Sequence, residues 1–226
     1  MRQRQITLIL ILGMLILAVP AFAAATDVVV RGEAKVSVAP DIGHIALAIE
    51  TRGETAQDAQ LENARLANQV IEAIKKLELA KKIETSNFSL YANYDYNTNT
   101  NVGYTASNQI LVSTLNLDKL GTILDAAIAA GANRINYISF GLQDESAAFA
   151  EALTQAVGNA QNKALVIAKA LGAEITGVKQ VVETGANAIP LQYRGEKLMM
   201  AEATPIAAGN VEVMASVEAV FEVEVK

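Results

Sequence analysis

The C-terminal run of the chain, residues 211–225, constrains the fold more than any other feature of the sequence. Every odd position in this run is apolar, and the even positions include four glutamates. Because successive side chains of a strand point to opposite faces, this alternation predicts a half-buried β-strand. At about 3.3 Å per residue the strand would be about 50 Å long, which is beyond ordinary strand length. We therefore expect it to bend, to serve two sheets or to meet a partner chain.

Strands and helices follow one another in the rest of the chain without a strict strand–helix–strand repeat. The predicted order is ββαββαβαββ, which is typical of an α+β protein with helices layered on an antiparallel or mixed sheet. Residues 42–141 follow the ferredoxin-like βαββαβ order, and we expect them to form a central lobe. Residues 27–38 and 142–226 would form a second lobe. The predicted elements are strands at 27–38, around 45–49, and at about 83–96, 103–116, 135–141, 174–183 and 211–225, helices at about 55–77, 118–131 and 145–171, and a loop at 185–209.

The N-terminal segment has the pattern of a secretory signal peptide. Two arginines stand among the first four residues, and an apolar stretch at residues 6–19 leads into the sequence Pro-Ala-Phe-Ala. This stretch is shorter than the ~18–20 residues that span a bilayer, which favours cleavage over an uncleaved anchor helix. We predict a signal peptide over residues 1–23, a mature domain over residues 24–226 without an integral membrane segment, and a periplasmic location, or a secreted one if the host lacks an outer membrane.

The composition excludes several classes of site. The chain has no cysteine and one histidine, His44, so disulfides, zinc–thiolate sites, cysteine nucleophiles and multi-histidine metal sites are ruled out. Its net charge of −6 makes nucleic acid a poor candidate partner. No nucleotide-binding or hydrolase motif is present, and carboxylate pairs such as Asp144-Glu145 are explained by the start of a helix. We therefore predict no catalytic site, no metal and no cofactor.

The predicted third helix carries alanine at every fourth position, from Ala148 to Ala168. A methyl group on this stripe lets another backbone come close to the helix. The stripe is consistent with ordinary packing of the helix on a sheet and with a contact between subunits. The sequence leaves both interpretations open.

The predicted hairpin at residues 83–116 concentrates tyrosine and asparagine. Four of the six tyrosines, Tyr91, Tyr94, Tyr96 and Tyr104, lie within it and alternate with asparagines. Tyrosine offers stiff amphipathic area and asparagine offers adaptable hydrogen bonds, a combination that is common at contact surfaces. The alternative is that the tyrosines stabilise the strands through cross-strand pairs and the asparagines form the turn. We predict a contact surface here.

Two adjacent methionines, Met199 and Met200, stand in the predicted long loop. Flexible thioethers fill gaps at interfaces, and exposed ones are oxidised reversibly to the sulfoxide. The alternative is a small hydrophobic plug that holds the loop to the body of the domain. We include both residues in the candidate interaction surface.

Several short motifs of the chain occur together in one known family. They are Gly32-Glu33-Ala34, Pro40-Asp41, Tyr94-Asp95-Tyr96, Leu117-Asp118-Lys119-Leu120, Ala130-Gly131-Ala132-Asn133, Met199-Met200 and Thr204-Pro205-Ile206. In their order and spacing the chain resembles the SIMPL-domain family of secreted bacterial proteins, which includes periplasmic immunogenic and oxidative-stress-defence proteins. The resemblance implies an exported α+β protein that is prone to self-association, with links to oxidative stress and the envelope and no agreed reaction.

The sequence thus favours an exported, non-catalytic envelope protein that acts as a self-associating scaffold or interaction protein. Homo-oligomers and another envelope protein are the partners that we expect. The alternative is a module that binds a glycan or a small molecule through the tyrosine-rich hairpin. An enzyme based on two carboxylates, or a role for the methionines as sacrificial antioxidants, has less support.

Overall fold

The computed structural model describes residues 26–189, 191–193 and 206–225, which form two antiparallel sheets with helices packed against them. The predicted signal peptide lies outside these residues. The strands are β1 (Thr26–Val38), β2 (Ile42–Gly53), β3 (Lys82–Asp95), β4 (Thr100–Thr114), β5 (Arg134–Gly141), β6 (Ala173–Ile189), β7 (Leu191–Tyr193) and β8 (Val211–Val225). The helices are α1 (Ala56–Lys76), a 3-10 turn (Leu117–Lys119) that leads into α2 (Leu120–Ala129), and α3 (Ser146–Ala170).

The long C-terminal strand β8 is the central strand of a three-stranded sheet with the order β1-β8-β6. It pairs with β1 from Thr26↔Val223 to Val38↔Val211 and with β6 over nearly its whole length. From Val211 to Val223 its odd-numbered side chains are buried and its even-numbered ones are partly or fully exposed, and Val225 at the end is exposed. With 15 residues it lies in length between β1 with 13 and β6 with 17, and within the described residues it serves one sheet.

The strand β6 corrects the predicted loop at residues 185–209. We expected a strand to end near residue 183, but β6 continues to Ile189 and the short β7 follows it. The continuation is rich in glycine and alanine and lacks apolar alternation, so the sequence does not predict a strand there. Extended β8 nevertheless offers it a backbone partner up to Glu212. The observed element order is thus the predicted one with β7 added.

Helix α3 packs its alanine stripe against the three-stranded sheet. All six alanines at spacing four, from Ala148 to Ala168, are buried, and five of them share one core with valines of β1 and β8. On the sheet side the close approach depends on Gly32, where a Cβ atom would lie 2.0 Å from the Ala156 carbonyl oxygen and 2.8 Å from the Ala160 Cβ. The stripe therefore packs inside the protein, which is the first of the two interpretations.

The other sheet has five strands in the order β3-β4-β2-β5-β7. Its first four strands have the order of a ferredoxin-like βαββαβ unit. Helices α1 and α2 cover one face and bury large side chains there, among them Ile45, Leu47 and Phe140. The largest side chains of this core are Ile, Leu and Phe, whereas the buried core under α3 consists of Ala and Val apart from Phe221. The α+β fold class predicted from the sequence is confirmed.

Helices α1 and α2 begin in different ways. Thr55 caps α1, because its Oγ1 accepts a hydrogen bond from the Asp58 backbone N–H at 3.2 Å. The second helix, predicted to begin at about residue 118, begins later, and Asp118 makes no capping hydrogen bond. The chain enters this helix through the 3-10 turn, which contains Asp118, so α2 begins only at Leu120.

Candidate interaction surface

Among the described strands, four lie at a sheet edge: β1 and β6 in the three-stranded sheet, β3 and the short β7 in the other. An edge strand presents a row of unpaired backbone groups to which another chain can pair. The three long edges differ in how far their own protein covers them. That difference locates the surface most open to a partner.

The β1 edge is closed by side chains of α3. The amide Nδ2 of Asn159 donates to the Glu33 carbonyl oxygen at 2.9 Å, and Lys163 Nζ donates to the Arg31 carbonyl oxygen at 2.7 Å. The strand also carries four charged side chains, at positions 27, 31, 33 and 35. Charges and occupied carbonyls both disfavour the pairing of a further strand.

The β6 edge is interrupted rather than covered. Its register against β8 shifts at three places, and such bulges bend and twist a strand. It also carries Lys179, whose Nζ donates to Asp27 Oδ1 at 2.6 Å; this hydrogen bond raises the pKa of the lysine. Bulges and an edge lysine are devices by which proteins protect sheet edges.

The β3 edge has neither form of protection in its middle. Residues 85–94 contain no charged residue and no proline. Two register shifts, at residues 85–87 and 92–94, leave a regular segment at residues 87–92 between them. Phe88 and Leu90 are 47% and 39% exposed, and Tyr91 and Tyr94 are more than half exposed. The middle of this strand is therefore an uncharged and partly aromatic edge.

The turn between β3 and β4 is held by an aspartate. Asp95 Oδ1 accepts hydrogen bonds from the backbone N–H groups of Asn97 and Thr98, and Asn99, at φ 52°, donates its N–H to the Asp95 carbonyl. Asparagine tolerates this left-handed conformation better than most residues. The turn presents Tyr96 to solvent with 99% of its surface exposed.

The four hairpin tyrosines do not form one platform. Tyr91 lies opposite Thr105, and Tyr104 lies opposite Ala92. Residues directly opposite each other share a face, so Tyr91 and Tyr104 project from opposite faces of the sheet. Tyr94 and Tyr96 lie further toward the turn. The hairpin therefore offers aromatic side chains in several directions, while Met199 and Met200 lie outside the described residues.

An open cleft of about 460 Å³ lies where β2 ends beside the hairpin. A backbone irregularity shapes it: Gly103 has φ +124°, and a Cβ atom there would lie 2.9 Å from the Gly53 carbonyl oxygen. The amide of Asn93 is oriented by a 2.9 Å hydrogen bond from its Nδ2 to Thr105 Oγ1. The lining residues are Arg52, Gly53, Glu54, Asn93, Val102, Gly103 and Tyr104.

His44 lies in the centre of the five-stranded sheet, between Ser113 on β4 and Ser139 on β5. Its Nδ1 is 2.9 Å from Ser113 Oγ, and burial lowers its pKa. Ser113 is only 6% exposed, so its hydroxyl is poorly placed to attack a substrate. In the part of the chain that the structure describes, no three His, Cys, Asp or Glu residues are grouped as metal ligands would be.

The sequence reasoning found the tyrosines but missed Phe88 and Leu90. The signal that reveals them is the uncharged run at residues 85–94, which has strand propensity and contains no proline. It also missed Arg52 and Glu54, which join the hairpin only because β2 pairs with β4 up to Gly53↔Tyr104.

The sequence matches the profile of SIMPL, described as a protein family of unknown function (DUF541), over residues 28–221. The chain belongs to the SIMPL family. It is 28% identical to the 26 kDa periplasmic immunogenic protein of Brucella melitensis over 228 residues, which cover 92% of this chain and 91% of the relative. The Brucella abortus protein of the same name shows the same identity and coverage. The uncharacterized protein YggE of Escherichia coli K12 is 28% identical over 194 residues, covering 84% of this chain and 78% of the relative.

The profile match confirms the predicted family. The predicted periplasmic location is confirmed as well, since two of the relatives are named periplasmic proteins. The helices that the structure describes include none that is long and apolar enough to cross a membrane.

Proposed function

We propose that this SIMPL protein is a non-catalytic periplasmic protein whose activity is self-association into a scaffold that contacts other components of the envelope. The observation that carries the proposal is the uncharged middle of the β3 edge, residues 85–94, with half-exposed Phe88, Leu90, Tyr91 and Tyr94. Clusters of exposed large apolar side chains in a protein outside the membrane are typical of interaction sites. Aromatic residues are also those that dominate binding energy at such sites.

Covering these side chains with a second protein surface would stabilise the assembly. Fully burying a Phe or Leu side chain contributes about 1.5–3 kcal/mol, and backbone pairing adds direction to that gain. A chain without cysteine cannot hold such an assembly by disulfides, so packing and hydrogen bonds supply its stability. Any role in oxidative-stress defence would likewise have to work without thiol chemistry.

Light scattering of the protein exported with its own N-terminal segment tests the proposal. We expect the average mass to rise with protein concentration and to fall when Phe88 and Leu90 are both replaced by serine. The matched control is Leu61→Ser with Val166→Ser, two exposed apolar positions on helices α1 and α3. A strictly monomeric wild-type protein at high concentration contradicts the proposal.

A second candidate function is the binding of a sugar or other small hydroxylated molecule in the cleft beside the hairpin. The specific observation in its favour is the convergence of Arg52, the oriented Asn93 amide and the Tyr104 ring around one open volume. Convergent polar groups around an aromatic wall suit such ligands. A thermal-shift screen with envelope glycans tests it: stabilisation should disappear in Asn93→Ala and persist in Tyr96→Ala, since Tyr96 lies outside the cleft.

A further inference from the structure

We propose that two copies of the chain pair through their β3 edges, antiparallel and about a two-fold axis at Ser89, so that the five-stranded sheets of both copies become one continuous sheet. This inference rests on the proposed self-association and names its contact. The occupant of the β3 edge is thus the β3 edge of a second copy.

The side-chain pattern of β3 is complementary to itself in this register. Phe88 and Leu90 lie two residues apart and share the face covered by the helices further into the sheet. Pairing about Ser89 places Phe88 opposite Leu90 of the second copy, and the symmetry repeats this pair. Four half-exposed apolar side chains then form one cluster that removes them from water.

The register is restricted by the alternation of faces. Directly opposed residues must lie on the same face, so a two-fold pairing within residues 87–92 must be centred on a residue rather than between two. Centring on Ser89 pairs Phe88 with Leu90. Centring on Leu90 would instead pair Phe88 with Ala92 and leave its ring with a smaller contact.

Charges select the antiparallel orientation and a second copy as partner. The middle of the strand, residues 85–94, is uncharged, so two copies meet there without repulsion. At the ends, the antiparallel arrangement brings Lys82, which already pairs with Glu84 at 2.8 Å, toward the opposite charge of Asp95 on the second copy, so that a lysine lies between the two carboxylates. A parallel arrangement would place each of these charged residues beside the identical residue of the second copy. Like charges that face each other directly are destabilising.

The remaining edges do not compete for this role. Asn159 and Lys163 occupy carbonyl groups of β1, and β6 is bulged at three places. Of the three long described edges, only β3 has an uncharged middle that also exposes large apolar side chains. These are Phe88 and Leu90, on either side of Ser89.

Disulfide trapping tests the register, because a cysteine-free chain allows a single thiol at any chosen position. Ser89→Cys should cross-link to itself under mild oxidation about tenfold faster than Ser37→Cys, an exposed control on the closed β1 edge. Asn87→Cys and Tyr91→Cys should each cross-link poorly alone and efficiently with each other when mixed, since they lie opposite in this register.

The outcomes separate this inference from the proposed function. If the wild-type mass rises with concentration but Ser89→Cys cross-links no faster than Ser37→Cys, the pairing is wrong and self-association stands. If Leu90→Cys cross-links to itself and Ser89→Cys does not, the stated register is wrong. If the wild-type protein is monomeric, both fail. Native mass of each reduced variant and its circular dichroism show whether a poor result comes from misfolding.

Discussion

The edge strands β1 and β3 have nearly the same length, 13 and 14 residues, yet one is covered and the other is open. Along β1, side chains of α3 bind the carbonyl groups of Arg31 and Glu33. Along β3, residues 85–94 carry no charge and expose Phe88 and Leu90. The difference shows that exposure of an edge is decided by how closely a helix can approach it, not by strand length.

The closeness of approach follows from side-chain size. On β1 the contact between Gly32 and the alanine stripe brings the backbone of α3 onto the strand, so that Asn159 reaches over its edge. On the other sheet, α1 lies over the central strands, where the buried Asn63 donates to the carbonyl oxygens of Ile49 and Ala106 at 2.7 and 3.1 Å. Polar side chains of the helices thus donate to carbonyl groups of central strands in the five-stranded sheet, and to carbonyl groups of an edge strand in the three-stranded sheet.

The largest effect should come from adding a single methyl group at the covered edge. In Gly32→Ala the new Cβ would lie 2.0 Å from the Ala156 carbonyl oxygen, a backbone atom, so α3 must shift as a whole. We expect the free energy of unfolding to fall by about 3 kcal/mol or more, measured by urea denaturation. The control is Gly158→Ala, where a Cβ would have no atom within 4 Å. That change should stabilise the helix by up to about 1 kcal/mol, and equal losses in both variants would contradict the packing argument.

Opening the β1 edge without changing its core should have a moderate effect. The double variant Asn159→Ala with Lys163→Met removes the donors to the two β1 carbonyls, which costs about 1 kcal/mol per lost hydrogen bond. The freed edge should also make association stronger, seen as a higher average mass at equal concentration. Asn162→Ala, on the same helix and exposed, is the control. A stability and mass equal to those of Asn162→Ala would show that these donors do not protect the edge.

A charge on the β3 edge should change the free energy of unfolding by no more than about 0.5 kcal/mol from the wild-type value, and should weaken self-association instead. In Ser89→Lys the symmetric pairing would bring two lysines together at the axis, and an edge lysine opposes strand addition. We expect the dissociation constant of the self-associated form to rise at least about tenfold, which corresponds to about 1.4 kcal/mol. Ser37→Lys places the same charge on β1, and there the constant should not change. Equal weakening by both lysines would point to net charge as the cause.

The smallest effect should be a dependence of the free energy of unfolding on pH, which arises from His44 in the five-stranded sheet. Burial lowers the pKa of His44 in the folded protein, so as the pH falls below about 6.5 the unfolded chain binds the proton first. The free energy of unfolding should therefore decrease on acidification through this group. His44→Gln should show a weaker decrease between about pH 7.5 and about pH 5.5 in urea denaturation. Identical pH profiles would rule out a contribution of this histidine.

Much of the fold could be predicted from periodicity alone, but the status of the edges could not. The periodicities of β8 and of helix α1 are local signals, and the strand predicted at 211–225 and the helix predicted at about 55–77 lie where the structure has them. The alanine stripe was visible as well, yet its partner Gly32 lies more than 120 residues away in the sequence. The tyrosine hairpin was also predicted. In this hairpin β3 is the edge strand, because β4 is the strand that pairs with β2. No local sequence pattern encodes which of the two strands pairs with β2.

The central claim, that β3 is the open edge through which copies of the chain pair, is tested most directly by amide hydrogen exchange at two protein concentrations. Pairing would protect backbone N–H groups of one strand only. The account predicts that exchange at residues 85–94 slows as concentration rises, while exchange in β1 and β6 stays unchanged. Protection that rises in β1 or β6 instead, or exchange in β3 that is independent of concentration in an associated sample, would contradict it.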